Sequence, residues 1–360
     1  MELIESGFDS SKIQFATKSK QKNPNTKLLV INNKNESTNT DALQNISEYF
    51  EKGDLLVVNH SATIPSSLSG KVLRTKETIE IRLASWVGLD FTNGYNWNVI
   101  SFGAGTWRDK TEDRIEITDL HETDVITFDN GLFAVVKKII VKPAKLIEIE
   151  FQTDISTEEL WNKIYEIGKP IQYSYLEENL EIWDQQTLFS GPPVSVEPPS
   201  ASFQFSWKII KKLMQKGVKI VPILHSAGLS STGDKILDSF LPFPERYEIS
   251  ENSAYQIKNA MDNNKKIIAL GTSVVRALES VAFVNNGDIK ASSSTTDFKI
   301  HKTHKMKIVN GIISGMHIPE ESHMQILLAF TSEKLILEGY NKAIKINFLW
   351  HEYGDLTFIY

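Results

Sequence analysis

Side chains that can form hydrogen bonds or transfer protons stand at the ends of several apolar runs in this sequence. The runs have the length and composition of strands buried in a sheet. In an open α/β sheet, ligands bind in the crevice beyond the carboxyl ends of the strands, so parallel neighbours would bring these side chains to one crevice. The residues at these run ends are Asn59, His225, Thr272 with Ser273, and His317.

The stretch IIALGTSVVRALES places a glycine and two hydroxyl side chains between an apolar run and a helix-like pattern. Gly271 lets a ligand approach the backbone, and the free N–H groups of a helix start favour a carboxylate or a hydroxyl-rich group such as a ribose. A second interpretation needs no ligand. Ser273 caps the helix and Thr272 completes a turn, because serine and threonine are common caps.

Arg276 and Glu279 lie three residues apart on the helix that follows this turn. Side chains at that spacing are neighbours on a helix surface, so the two can form an ion pair. Val274, Leu278 and Val281 form the apolar stripe of the helix. Arg276 therefore points away from that stripe, either into the crevice or into water.

The histidines fall into two groups. His225 and His317 follow apolar runs, where each can transfer protons or serve as a hydrogen-bonded structural residue. His301 and His304 have a spacing that suits a metal site on a helix, but their surroundings alternate as in a strand. Alternation would send the two rings to opposite faces. We therefore expect no metal site there.

The composition limits the classes of function. The chain has 360 residues, 41% of them hydrophobic, a formal net charge of -6 and no cysteine. Thiolate chemistry and disulfides are excluded, and a broad basic surface for nucleic acid is not expected. The basic stretches KIIKKLMQKGVK and KIHKTHKMK can contact phosphates locally or form solvated faces. With no signal-like start and no apolar stretch of membrane-spanning length, we expect a cytoplasmic protein.

The pattern of apolar and polar residues along the chain predicts an α/β fold with an insertion. Residues 68–151 alternate with period two and contain the hairpin signal Asn130-Gly131, which is typical of a small antiparallel, barrel-like β domain. Residues 1–67 and 152–360 alternate strands and helices, which predicts one large mixed α/β domain with a mostly parallel sheet. Within it we expect helices over residues 40–52 and 324–340.

Several motifs, read together and in order, resemble the S-adenosylmethionine:tRNA ribosyltransferase-isomerase family of queuosine biosynthesis. GDLLVVNHSATIPSSLSG is similar to the family pattern GDLLVFNDTRVIPARLFG, and WDQQTLFS to RYQTVYA. IIALGTSVVRALES resembles VIAVGTTSVRTLES, and the chain ends in YGDLTFIY where the family has YGDAMLI. The segment from Thr296 to Pro319 keeps the spacing of the family segment that ends in TNFHLP.

The resemblance implies a large α/β domain with a small all-β domain inserted near the N-terminus. It implies transfer and isomerisation of the ribosyl part of S-adenosylmethionine onto 7-aminomethyl-7-deazaguanine in tRNA, which gives epoxyqueuosine and releases adenine and methionine without a metal. His225 and His317 are then the expected proton-transfer residues. The expected substrate-binding residues are Asn59, Gly271, Thr272, Ser273, Arg276, Glu279, Tyr353 and Asp355.

The sequence departs from the family pattern at diagnostic positions. His60, Ser61 and Ala62 stand where the family has Asp-Thr-Arg, and Gln204 stands where the motif PTAGLHF has its histidine. An alternative is therefore a diverged paralogue that binds S-adenosylmethionine or a nucleotide but acts on another acceptor or is not catalytic. A monomer or weak homo-oligomer is expected.

Overall fold

The computed structural model describes residues 8–19, 25–87, 94–105, 114–173, 175–229, 232, 234–240, 243–319 and 322–360. The first strands in chain order are β1 Gln14–Phe15, β2 Lys27–Asn32, β3 Ser37–Ala42, β4 Leu55–Asn59, β5 Ala62–Thr63, β6 Ser67–Val72, β7 Thr78–Trp86, β8 Asn96–Phe102, β9 Val125–Thr127, β10 Phe133–Val141 and β11 Leu146–Phe151. The later strands are β12 Pro193–Ser195, β13 Lys219–His225, β14 Glu245–Ile249, β15 Ile267–Leu270, β16 Ser292–Thr296, β17 Gly311–Gly315, β18 Leu349–Trp350 and β19 Leu356–Ile359.

A mixed sheet forms the centre of the molecule. Over the described residues it has nine strands in the order β16-β14-β13-β4-β15-β17-β19-β2-β3. The four strands β13, β4, β15 and β17 are parallel neighbours, so their carboxyl ends lie at the same edge of the sheet. Antiparallel strands flank this group on both sides.

The central strands are apolar throughout because both faces of the sheet are covered. In β4, Leu55 and Val57 pack into the core on one face, while Leu56 and Val58 pack into the core on the other. This double burial accounts for a run without the polar alternation of a one-sided sheet. The helices are α1 Thr157–Ile167, α2 Trp207–Gln215, α3 Lys235–Phe240, α4 Glu251–Asp262, α5 Thr272–Val284, α6 Ser322–Leu328 and α7 Glu333–Lys345.

The inserted β segment forms a closed barrel. Its six described strands run in the order β10-β11-β8-β7-β6-β9, and every neighbouring pair is antiparallel. Side chains of these strands fill a separate core that includes Ile81, Trp97 and Ile149. The fold class predicted from the sequence is confirmed. The domain boundaries at 67/68 and 151/152 stay a prediction.

Two predicted helices are wrong in detail. Residues 40–52 contain the end of strand β3 and then a 3-10 helix over Leu43–Tyr49. Leu43 and Ile46 are both buried, and their spacing of three matches the repeat of a 3-10 helix. Residues 324–340 contain parts of α6 and α7, because the Ser332 side chain accepts a hydrogen bond from the Leu335 N–H and starts a new helix.

None of the described helices is long and apolar enough to cross a membrane.

Candidate functional site

A cleft lies at the edge of the sheet where the four parallel strands end. It encloses about 720 Å³ of empty space, part of it open to solvent. His225 ends β13, Gly271 with Thr272 and Ser273 follows β15, and His317 follows β17. These five residues line the cleft, together with Arg276 from the first turns of α5. The structure thus brings six of the ten candidate residues into one site.

The turn after β15 leaves the start of α5 open. Gly271 is the N-cap residue and has φ +97, a conformation that residues with a side chain rarely adopt. No side chain caps this helix. The interpretation that Ser273 is a structural cap is therefore wrong, and the first N–H groups of α5 remain available beside the cleft.

Asn59 holds the strand ends together beneath the cleft. Its fully buried amide donates to the backbone oxygen of His225 at 2.9 Å and lies 3.4 Å from the hydroxyl of Ser273. Its Oδ1 accepts the N–H groups of Ser61 and His225. Asn59 lies outside the cleft lining and fixes the positions of residues that are part of it.

His225 is a neutral imidazole in the wall of the cleft. Its side chain is 1% exposed, and Nε2 lies 3.3 Å from Oε2 of Glu245. Within the part of the chain that the structure describes, neither ring nitrogen has a hydrogen bond. Burial lowers the pKa of His225 from 6.5 to about 4, against the opposing effect of Glu245. The ring is therefore uncharged at neutral pH.

Glu245, the first residue of β14, pairs with Arg276. One carboxylate oxygen accepts the Gly228 N–H at 2.8 Å, and the other pairs with Nη1 of Arg276. Arg276 also donates through Nε to the backbone oxygen of Phe298 at 3.4 Å. The predicted pairing of Arg276 with Glu279 is wrong, because the helix directs the two side chains to different partners.

Glu279 is fully buried outside the cleft. Its carboxylate accepts the backbone N–H groups of Lys307, Ile308 and Val309 at 2.9 to 3.1 Å, and His304 Nε2 lies 3.1 Å away. Glu279 therefore fixes the loop that leads into β17. The expected strand around His304 is also wrong, since the backbone turns there.

Over the described residues, no group of three or more histidine, cysteine, aspartate or glutamate side chains has the geometry to hold a metal ion.

His317 lies in the opposite part of the cleft wall. Its Nε2 is 2.9 Å from the hydroxyl of Ser314, and its ring stacks on His323 with the centroids 4.8 Å apart. These two contacts hold the imidazole in a defined orientation beside the end of β17.

Tyr353 and Asp355 do not line the cleft. The buried Tyr353 ring stacks on the half-buried Phe203 ring with the centroids 4.7 Å apart. Asp355 accepts the backbone N–H groups of Lys27 and Leu349 at 2.6 and 2.8 Å. Burial raises the pKa of Asp355. Both residues fix the approach to β19.

Two of the positions that depart from the family pattern, Gln204 and Ser61, form hydrogen bonds within the protein. Gln204 accepts a hydrogen bond from Thr26 and donates to the backbone oxygen of Tyr353 at 2.6 Å. The Ser61 hydroxyl lies 2.8 Å from that of Ser195, which donates to the backbone oxygen of His225. Ser61 is thus linked through Ser195 to the backbone of His225, a residue of the cleft lining.

Sequence reasoning missed several lining residues because they come from loops without a periodic signal. Tyr173 and Glu197 come from the polar, proline-containing segment before α2, and Glu352 from the turn after β18. Among the described lining residues, the carboxylates are Glu197, Glu245 and Glu352, and Arg276 is the permanently charged cation.

Comparisons with known proteins place the chain in a family. A family model described as "Queuosine biosynthesis protein" matches residues 5–359. The S-adenosylmethionine:tRNA ribosyltransferase-isomerase of Halothermothrix orenii is 26% identical over 364 residues, covering 100% of both chains. The crystal structure of an S-adenosylmethionine tRNA ribosyltransferase from Thermotoga maritima has the same fold, with a TM-score of 0.51 at 20% identity over 98% of each chain. The chain therefore belongs to the queuosine biosynthesis protein family.

Proposed function

We propose that this protein is an S-adenosylmethionine:tRNA ribosyltransferase-isomerase. It transfers the ribosyl part of S-adenosylmethionine to the aminomethyl group of 7-aminomethyl-7-deazaguanine in tRNA, isomerises it to give epoxyqueuosine, and releases adenine and methionine. The observation that carries the proposal is the cleft that unites a neutral buried histidine with an uncapped helix N-terminus. The family match over residues 5–359 supports it.

The charges of the cleft suit a sulfonium nucleoside. S-adenosylmethionine carries a positive sulfur and a positive amino group, and the lining carboxylates of Glu197 and Glu352 attract both. The N–H groups at the start of α5 and the hydroxyls of Thr272 and Ser273 offer hydrogen bonds to the ribose hydroxyls.

The reaction needs a base close to the sulfonium. The positive sulfur acidifies the neighbouring carbon, and a neutral imidazole can remove its proton. His225 has this protonation state because burial lowers its pKa to about 4. We assign the initial proton abstraction to His225. A second proton transfer, to the adenine that leaves, is assigned to His317 on the other part of the wall.

The remaining candidate residues have supporting roles in this proposal. Asn59 fixes His225 and Ser273, Glu279 fixes the loop before β17, and Tyr353 and Asp355 fix the approach to β19. The nucleic-acid partner is tRNA, bound through local contacts, since the net charge of -6 disfavours a broad phosphate-binding surface. We place the protein in the cytoplasm, where tRNA is modified.

The test is adenine release. Purified protein is mixed with S-adenosylmethionine and tRNA that bears 7-aminomethyl-7-deazaguanine, and adenine is measured by chromatography. The same tRNA with unmodified guanine is the control and should release none. The proposal fails if no adenine appears under conditions in which the Halothermothrix orenii enzyme is active. Adenine release with another acceptor alone would indicate a diverged paralogue.

A further inference from the structure

One guanidinium nitrogen of Arg276 has hydrogen-bonding capacity that the protein leaves unused. Within the described residues, Nη2 is buried and has no hydrogen-bond partner. The side chain as a whole is 12% exposed, so water has little access to it. Buried donors in native proteins almost always have partners, so Nη2 in the cleft wall is a donor that a bound ligand or a bound water can satisfy.

The protein fixes the other edges of this guanidinium. Nη1 is held by Glu245, and Nε faces the backbone oxygen of Phe298. Glu245 is itself held by the Gly228 N–H and is only 3% exposed. Because a guanidinium is planar and its donors form a rigid fork, these contacts set the position of Nη2 before any ligand arrives.

The charges of the residues that line the cleft favour a particular kind of ligand group at Nη2 of Arg276. A carboxylate placed near Glu197 or Glu352 would be repelled. Glu245 balances the charge of Arg276 on the Nη1 side, and at Nη2 a ligand carboxylate would gain a charge-assisted hydrogen bond. S-adenosylmethionine contains a single carboxylate, on its methionine part. The ribose and adenine offer only neutral acceptors, which form weaker bonds to a guanidinium.

We propose that Arg276 is the specificity-determining residue that binds the α-carboxylate of S-adenosylmethionine, and that Glu245 is the positioning residue that orients it. This inference rests on the proposed function, because it assigns one group of the proposed substrate to one atom of the protein. In this arrangement the methionine part of the ligand lies at Arg276, and the ribose lies at the uncapped start of α5.

The test compares two ligands that differ by the carboxylate. Dissociation constants for S-adenosylmethionine and decarboxylated S-adenosylmethionine are measured by calorimetry for the wild type and for Arg276→Lys. Lysine keeps the positive charge beside Glu245 but lacks the second fixed donor. We expect this change to weaken binding of S-adenosylmethionine by about 10- to 100-fold, because a charge-assisted bond is lost. Binding of the decarboxylated ligand should change by less than about threefold.

Arg246→Gln is the matched control. It removes a cation from the next residue along β14, outside the cleft lining, and should leave both dissociation constants unchanged. The inference is overturned if Arg276→Lys weakens both ligands equally, or if the wild type binds both equally well. If Arg276→Lys does not fold, Arg276→Gln is tested with the same two ligands, and equal binding of both ligands by the wild type still overturns the inference.

Failure of this inference is distinguishable from failure of the proposed function. A wild-type protein that releases adenine from S-adenosylmethionine with modified tRNA, yet does not distinguish the two ligands, overturns only the role of Arg276. A protein that neither binds S-adenosylmethionine nor releases adenine overturns both.

Discussion

Two buried carboxylates, Glu245 and Glu279, have different surroundings. Glu279 accepts three backbone N–H groups and contacts His304, so its bonding capacity is used within the protein. Glu245 holds Arg276 and Gly228 in the cleft wall, where Nη2 of Arg276 and both ring nitrogens of His225 have no described partner. Burial of a charge therefore does not identify a site by itself. The candidate site is instead indicated by donors and acceptors around the charge that have no partner within the described residues.

The largest expected effect is the replacement of His225 by glutamine. Without a group that accepts the proton, kcat should fall by about 10²- to 10⁴-fold, the usual contribution of general base catalysis. Adenine release in single-turnover experiments measures this loss. His304→Gln, which changes the histidine beside Glu279, is the control and should retain activity. Equal losses in the two variants would contradict the distinction between the two regions.

Glu279→Ala should act on stability. It leaves the buried N–H groups of Ile308 and Val309, and the partly buried N–H of Lys307, without their acceptor. An orphaned buried donor costs about 1–3 kcal/mol, so the two buried groups give an expected loss of about 2–6 kcal/mol. Chemical denaturation measures the free energy of unfolding.

Glu338→Ala, which removes a partly exposed carboxylate that contacts Thr38 and Lys342, should lower the free energy of unfolding by much less than Glu279→Ala does. A stable Glu279→Ala protein with lost activity would place Glu279 in the site instead.

The pH dependence of stability should report on His225. Its pKa is lowered from 6.5 to about 4 in the folded protein, so the unfolded chain binds the proton more readily between these values. Stability is therefore complete above pH 6.5 and should fall by about 3 kcal/mol in total as the pH decreases to 4. Denaturation at several pH values measures the slope. His225→Gln should reduce the slope of unfolding free energy against pH. An unchanged slope would contradict the lowered pKa of His225.

The smallest expected effect is that of Ser273→Ala. Because no side chain caps α5, the melting temperature of the protein should stay unchanged. The affinity for S-adenosylmethionine should fall about fivefold, because one hydrogen bond to the ligand is lost. Ser156→Ala is the control, since the Ser156 side chain caps α1 and its loss should cost about 1 kcal/mol without changing affinity. A melting temperature lowered by Ser273→Ala alone would restore the capping interpretation.

Part of the site was predictable because strand ends carry a local signal. The apolar runs before Asn59, His225 and Gly271 identify buried strands, and parallel strands end at one edge. Helix boundaries were less predictable. The repeat of three at Leu43 and Ile46 fits either helix type over one turn, and pairing of β3 with β2 decided the conformation of the preceding residues.

Periodicity and turn residues are local properties of the chain, and they were enough to predict the α/β class, the inserted β segment and the residues at the strand ends. The pairing of Arg276 with Glu245, and of Glu279 with the loop before β17, became visible only in the folded chain. These partners lie 31 and 29 residues apart along the chain. Which polar groups meet, and which keep free capacity for a ligand, depends on packing between elements that no local pattern encodes.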